Sequence, residues 1–178
     1  MQIKLIDKNL DIYIFQLDEK NYIKFCPSRG GLITNWVSCG SEINYFDEIR
    51  FQDKSKSIRG GIPILFPVCG NLDLSNSLFG GNYLKLMQHG FARDLQWKYG
   101  LNPTKNLLFF LKDSETTRRY FPFNFKVRIE VCLKVNCLEF EINIQNNTNR
   151  EMSINFGLHP YLNISDFKNL NFFDYPIN

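Results

Sequence analysis

The sequence has 178 residues and a formal net charge of +3, and it is 44% hydrophobic and 15% aromatic. This length and composition are typical of one globular domain with a sizeable core, so we expect a single domain over residues 1–178. Because no block of basic residues occurs, the charge gives no indication of a nucleic-acid or membrane partner.

The N-terminal residues lack a basic leader followed by a long apolar core, and no apolar run approaches about eighteen residues. We therefore expect a cytoplasmic protein that is not bound to a membrane. The five cysteines include no C-x-x-C pair, which favours reduced thiols over disulfides. The histidines and scattered acids lack the spacing of metal ligands, so we expect no metal site.

Short β-type runs bounded by Gly, Pro, Asn or Asp recur through the first part of the chain. They lie at residues 10–17, 22–26, 32–37, 96–99 and 107–111. The best helical candidate lies at residues 114–120, because Ser114 can cap the first turn and Pro122 follows the end.

The clearest strand signal lies at residues 125–145. Apolar and polar side chains alternate over residues 125–135, as expected for a strand with one buried face. The alternation changes phase across residues 136–137, so a tight hairpin is predicted there. A further alternating run at residues 152–156 predicts a third strand that ends at residues 157–160. Many short strands with almost no helix predict an all-β sandwich or barrel.

The first of three polar motifs is the segment RGGIP at residues 59–63, followed by a Phe-Pro pair at 66–67. Two adjacent glycines allow positive φ angles and a close approach of a ligand, and the prolines stiffen the segment. One interpretation is that this segment holds Arg59 pointing into a cavity. The other is a crossover at a sheet edge that leaves Arg59 in solvent.

The second motif, QHGFARD at residues 88–94, gathers an imidazole, an amide and a guanidinium around a glycine. This mixture of donors and acceptors suits a sugar with several hydroxyls, but a polar turn between strands would have the same composition. The third motif, FGLHPY at residues 156–161, puts His159 at the end of a predicted strand. His159 is either an acid–base group that titrates near neutral pH or a hydrogen-bonded structural residue.

The ordered set of RGGIP at 59–63 with its Phe-Pro pair, QHGFAR at 88–93 and LHPY at 158–161 resembles the aldose 1-epimerase, or galactose mutarotase-like, superfamily. It is most similar to the branch of hexose-6-phosphate mutarotases, the glucose-6-phosphate 1-epimerases. The resemblance implies an antiparallel β-supersandwich that binds a sugar or sugar phosphate on a concave face. It also implies an isomerase that interconverts α and β anomers of a hexose or hexose 6-phosphate without a metal or organic cofactor.

The resemblance further implies a role for each matching residue. His159 matches the general acid that protonates the ring oxygen while the C1 hydroxyl loses its proton. Gln88 and Arg93 match positions that contact the sugar or its phosphate. Arg59 matches a second arginine on the phosphate side, and His89 matches a histidine that lines the pocket.

Two features depart from the family pattern. Residues 68–71, with the sequence VCGN, stand where many members carry aromatic side chains, which leaves the sugar preference open. Members also generally continue well beyond this length, with further strands, a substrate-binding aspartate and the glutamate base. The base would then come in trans, from Asp166 or Asp174, or from water.

We therefore expect a supersandwich that is incomplete at its C-terminus. Exposed sheet edges and apolar core would favour a homo-oligomer or association with a separate C-terminal piece. The alternative function is a non-catalytic sugar- or sugar-phosphate-binding module that lacks the general base.

Overall fold

The computed structural model describes residues 1–71, 78–79, 82–83 and 86–164. In chain order the strands of this part are β1 (Gln2–Asp7), β2 (Ile12–Asp18), β3 (Asn21–Cys26), β4 (Leu32–Ser38), β5 (Ser41–Glu42), β6 (Ile64–Leu65), β7 (Leu78–Phe79), β8 (Asn82–Tyr83), β9 (Lys98–Leu101), β10 (Leu107–Lys112), β11 (Phe125–Leu133), β12 (Leu138–Asn146) and β13 (Gly157–Leu158). The helices are α1 (Glu48–Gln52) and α2 (Glu115–Tyr120), and a 3-10 turn covers Ala92–Asp94. Strands dominate, as the sequence predicts.

Two antiparallel sheets make up most of the fold. The first has the strand order β1-β2-β3-β4-β5 and the second has the order β12-β11-β10-β9. Each sheet is therefore a meander in which neighbours in sequence are also neighbours in space. Two further antiparallel pairs join β6 with β13 and β7 with β8.

The hairpin of β11 and β12 follows the predicted alternation. The side chains buried on one face of β11 are Phe125, Val127, Ile129, Val131 and Leu133. The polar side chains between them lie on the opposite face, which is the arrangement that a period of two requires. The hairpin turn falls at the predicted phase change, where the Lys134 N–H donates to the Cys137 carbonyl at 2.9 Å.

The two large sheets pack face to face around one apolar core. Phe25 of β3 and Phe109 of β10 meet across the interface with ring centroids 5.3 Å apart and planes at 84°. This edge-to-face contact is the favourable geometry for buried aromatic pairs. The same core includes Ile23 from the first sheet and Ile129 from the second, both fully buried.

Helix α2 begins and ends where the sequence predicts. The Ser114 hydroxyl accepts from the Thr117 N–H at 3.2 Å, and the Thr117 hydroxyl accepts from the Ser114 N–H at 2.8 Å. This reciprocal capping box satisfies two backbone donors at the start of the helix. Neither this helix nor any other in the described residues is long and apolar enough to cross a bilayer.

The third predicted strand is shorter than expected. Residues 151–156 form no strand, although the Asn155 N–H donates to the Pro67 carbonyl at 2.8 Å, and Gly157–Leu158 pairs with β6. The side chains of Met152 and Phe156 nevertheless pack against the core. The alternation at this segment reflects which side chains are buried, and it carries no information about a strand partner.

Candidate active site

All five side chains predicted from the sequence line one cavity of about 150 Å³. They are Arg59, Gln88, His89, Arg93 and His159. Three motifs that lie far apart in the chain therefore meet at one place. Arg59 and His159 are exposed, and His89 and Arg93 are half-buried in the cavity wall.

The segment that carries Arg59 is held by close backbone packing. Gly61 has a φ of +71°, and a Cβ there would lie 2.5 Å from the Ile33 carbonyl oxygen. Its N–H donates to the Tyr45 carbonyl at 2.7 Å, and the next N–H, of Ile62, donates to the Ile33 carbonyl at 2.8 Å. Only glycine suits this conformation and this distance. The RGGIP segment is therefore fixed against two neighbouring chain segments, with Arg59 at the cavity.

His159 is attached directly to the same segment. Strand β13 pairs with β6, and the His159 N–H then donates to the Pro63 carbonyl at 3.0 Å. Two residues later the Tyr161 N–H donates to the Gly61 carbonyl, also at 3.0 Å. Backbone hydrogen bonds thus join the first and third motifs beside the β6–β13 pair, which places Arg59 and His159 at the same cavity.

The second motif packs on the backbone just beyond β6. The N–H groups of Phe91 and Ala92 both donate to the Phe66 carbonyl, at 3.0 and 3.1 Å. A Cβ at Gly90 would lie 2.3 Å from this same oxygen, so the glycine permits the contact. Arg93 then donates from Nη2 to the Gln88 carbonyl at 3.0 Å, which closes the motif into a compact turn.

The hydrogen bonds of His89 assign its protonation state. Its Nδ1 accepts from the Gly70 N–H at 2.9 Å. A nitrogen that accepts this bond carries no proton, so Nε2 carries the proton of the neutral ring. Burial lowers the pKa of His89, and the nearby charges of Arg93 and His159 lower it further. His89 is therefore a neutral hydrogen-bond donor.

His159 has different surroundings. Its ring lies against Tyr161, with centroids 4.9 Å apart and planes at 34°. The side chain is exposed and lines the cavity. Of the two imidazoles, His159 is the one placed to exchange a proton with a bound molecule.

Arg29, Asp94 and Tyr161 also line the cavity, and the sequence reasoning did not single them out. Arg29 donates to the carbonyls of Phe51 and Lys56, and its guanidinium stacks 4.5 Å from the centre of the Phe51 ring. For Arg29 the sequence did contain an indication, because residues 29–31 repeat the Arg-Gly-Gly pattern of residues 59–61.

The charge of the described cavity wall is positive. Three guanidinium groups, those of Arg29, Arg59 and Arg93, face a single carboxylate, that of Asp94. Asp94 lies 3.7 Å from Arg93 Nε, close enough to offset part of this charge. Anionic groups are therefore attracted to the cavity. The described residues contain no group of three or more His, Cys, Asp or Glu side chains that could hold a metal ion.

Comparisons with known proteins agree on one family. The family model described as Aldose 1-epimerase matches residues 15–172. Two curated relatives, from Cenchrus ciliaris and Salmonella typhimurium, carry the description "Putative glucose-6-phosphate 1-epimerase". Both are 30% identical to this chain, in alignments of 150 and 147 residues that cover 77% and 80% of it. The matches cover 42% and 45% of the relatives, so the chain spans less than half of their length.

Solved structures with the same fold include the Slr1438 protein from Synechocystis, which is 39% identical with a TM-score of 0.79 over 88% of this chain and 57% of that one. A galactose mutarotase related enzyme from Lactobacillus acidophilus is 27% identical with a TM-score of 0.70, over 89% and 51% of the two chains. A galactose mutarotase-like protein from Lactobacillus casei shares the fold, with a TM-score of 0.71 over 86% and 50% of the two chains and 21% identity. These similarities confirm the predicted fold class.

Proposed function

Because the chain belongs to the aldose 1-epimerase family, we propose that its cavity binds a hexose or hexose 6-phosphate and interconverts the α and β anomers. The family match and the two relatives support a sugar epimerase-like activity. The observation that carries the proposal is the convergence of Arg59, Arg93 and His159 on one cavity. The proposed ligand is a small-molecule sugar or sugar phosphate. The proposed location of the protein is the cytoplasm.

In this proposal His159 is the general acid. Its protonated ring donates a proton to the ring oxygen, the bond from C1 to that oxygen breaks, and a base removes the proton of the C1 hydroxyl. The product is an open-chain aldehyde. Rotation about the bond from C1 to C2 and the reverse proton transfers close the ring on the other face. His89, neutral and donating from Nε2, would orient a sugar oxygen without taking part in proton transfer.

The proposed mechanism also needs a general base. Asp166 and Asp174 lie outside the described residues. Among the residues that the structure describes at the cavity, Asp94 carries the one carboxylate. It would serve as the base if its oxygen came within hydrogen-bond distance of the C1 hydroxyl in the complex. A base supplied in trans or by water remains part of the proposal.

The arginines support a phosphorylated ligand. Guanidinium groups bind phosphate through paired, charge-assisted hydrogen bonds, which are stronger than neutral ones. Arg59 and Arg93, which both line the cavity, would hold the phosphate, and Gln88 would contact a sugar hydroxyl. A neutral hexose would use the same hydroxyl contacts without this charge attraction.

A non-catalytic sugar- or sugar-phosphate-binding module is the second candidate. Among the described residues at the cavity, Asp94 carries the one carboxylate and lies 3.7 Å from Arg93 Nε, which favours a site that binds a ligand without a general base. In either case we propose that the chain associates with a second copy or with a separate C-terminal piece, which would cover an open sheet edge.

One experiment separates the candidates. Freshly dissolved α-glucose 6-phosphate and α-galactose are followed by NMR or polarimetry as they relax to the anomeric equilibrium, with and without the protein. Acceleration that His159→Ala removes supports the epimerase. Saturable binding without acceleration supports the binding module, and the absence of both contradicts the two candidates together.

A further inference from the structure

The outer edge of the second sheet is open in the described part of the chain. Strand β12 pairs with β11 on one side, and no described strand pairs with its other side. Ile142 at its middle is 37% exposed, whereas its cross-strand neighbour Ile129 is fully buried. A nine-residue edge strand with half-covered apolar side chains is a typical site for addition of another strand.

The hydrogen bonds at both ends of the hairpin identify the backbone groups that face this edge. Residues 124 and 147 share one such bond, and residues 134 and 137 share another. Hydrogen-bonded pairs alternate along an antiparallel ladder. The backbone N–H and C=O groups of Glu139, Glu141 and Asn143 therefore point to β11. Those of Phe140, Ile142 and Ile144 point to the open edge.

The side chains of β12 are complementary to those of a second β12. When two copies pair antiparallel about Ile142, Phe140 lies opposite Ile144 of the partner subunit and Ile142 faces the partner's Ile142. On the outer face, Glu141 lies opposite the partner's Asn143, and Glu139 lies opposite the partner's Gln145. Each carboxylate thus meets a carboxamide that can donate to it, and each apolar residue named meets another.

Other registers lose this complementarity. Pairing centred on Phe140 places Glu139 opposite the partner's Glu141, and pairing centred on Glu141 places that residue opposite itself, so like charges repel. Pairing centred on Asn143 or Ile144 puts Phe140 opposite a polar residue at 146 or 148. The register centred on Ile142 is therefore favoured.

We propose that the chain forms a two-fold dimer through β12, in which the two four-stranded sheets join into one continuous sheet. The partner is a second copy of this chain, and the contact is isologous. This inference names a surface for the homo-oligomer proposed above and does not depend on the sugar chemistry, because β12 contributes no residue to the cavity.

Light scattering coupled to size exclusion, over a dilution series, tests the dimer. The expected mass is twice that of the chain at high concentration. Ile142→Lys puts two ammonium groups face to face at the centre and is expected to give monomers. Leu101→Lys is the matched control, since Leu101 is 40% exposed on β9, at the opposite edge of the same sheet. It is expected to leave the dimer intact.

A second pair of variants tests the register and remains informative if Ile142→Lys fails to fold. Asn143→Lys faces the partner's Glu141 and is expected to lower the dimer dissociation constant, and Asn143→Glu is expected to raise it. Each contact occurs twice, so roughly 2- to 30-fold changes are expected. A monomer at every concentration, or a dimer that is insensitive to both positions, would overturn the proposal. Unchanged anomer exchange in these variants separates this result from the test of the epimerase.

Discussion

The rings of His89 and His159 lie with their centroids 5.9 Å apart and their planes at 75°. The Gly70 N–H occupies Nδ1 of His89, and the other ring is exposed at the cavity. The two histidines at one cavity therefore have different surroundings, and in the proposed mechanism His89 is a neutral donor while His159 transfers the proton.

Substitution of the two histidines should separate these roles. We expect His159→Asn to lower the rate of anomer exchange by about 10²- to 10⁴-fold, which is the usual contribution of a positioned acid. His89→Asn loses one hydrogen bond to the ligand, so KM should rise by about 2- to 10-fold with kcat nearly unchanged. Steady-state kinetics on α-glucose 6-phosphate measures both. Equal losses of kcat in the two variants would contradict the assignment.

The lowered pKa of His89 predicts a pH dependence of stability. The unfolded chain has the ordinary histidine pKa of 6.5, and the folded chain has a lower one. Between these values the unfolded chain binds more protons, so the free energy of unfolding decreases as the pH falls through this window. The contribution is complete above the unfolded pKa and is lost below the folded pKa.

The variant His89→Asn isolates this effect, because asparagine tolerates the positive φ of +68° at this position. Urea unfolding of both proteins at pH 8 and pH 5 gives the comparison. We expect the stability of the wild type relative to the variant to be larger at pH 8. The carboxyl groups of Asp18 and Asp53, whose pKa values hydrogen bonds lower, act equally in both proteins. An identical difference at the two pH values would show that His89 does not titrate as described.

The arginines predict a preference for the phosphorylated ligand. We expect Arg59→Ala and Arg93→Ala to weaken binding of a hexose 6-phosphate by about 10- to 100-fold, as expected for the loss of charge-assisted hydrogen bonds. Binding of the unphosphorylated hexose should change much less. Calorimetry with both ligands is the measurement, and Arg119→Ala is the control because Arg119 pairs with Glu115 on the exposed face of α2. A similar loss for both ligands would argue against a phosphate contact.

The sequence predicts the parts of the fold in which local pattern and tertiary contact agree. The alternation over residues 125–145 gives the hairpin of β11 and β12, and Ser114 with Pro122 gives the bounds of α2. The sequence does not predict strand β1, because none of its side chains is buried and the strand forms by pairing with β2. Burial produces the period of two, so a strand without a buried face leaves little trace in the sequence.

The site is predictable in its residues but not in its geometry. The three motifs indicate Arg59, Arg93 and His159, yet nothing in the sequence shows that the His159 N–H donates to the Pro63 carbonyl. Such a contact is set by the packing of distant segments. Arg29 illustrates the same limit, because its Arg-Gly-Gly pattern is visible and its position beside the cavity is a property of the folded chain.

Alanine substitutions at three glycines distinguish the two reasons for which a position requires glycine, a positive φ and a lack of space for a Cβ. Gly100→Ala meets no atom within 4 Å and has no positive φ, so we expect little change in stability. Gly70→Ala also meets no atom, but its φ of +84° should cost about 1–2 kcal/mol. Gly90→Ala combines a φ of +72° with a Cβ 2.3 Å from the Phe66 carbonyl oxygen, so backbone has to move. We expect the free energy of unfolding in urea to fall more for this variant than for Gly70→Ala.

Because Gln88 and Arg93 lie close to Gly90 in the same motif, the same movement should also weaken ligand binding, whereas Gly100→Ala should leave binding unchanged. Equal stability of the Gly70 and Gly90 variants would mean that the contact with Phe66 is looser than the structure describes.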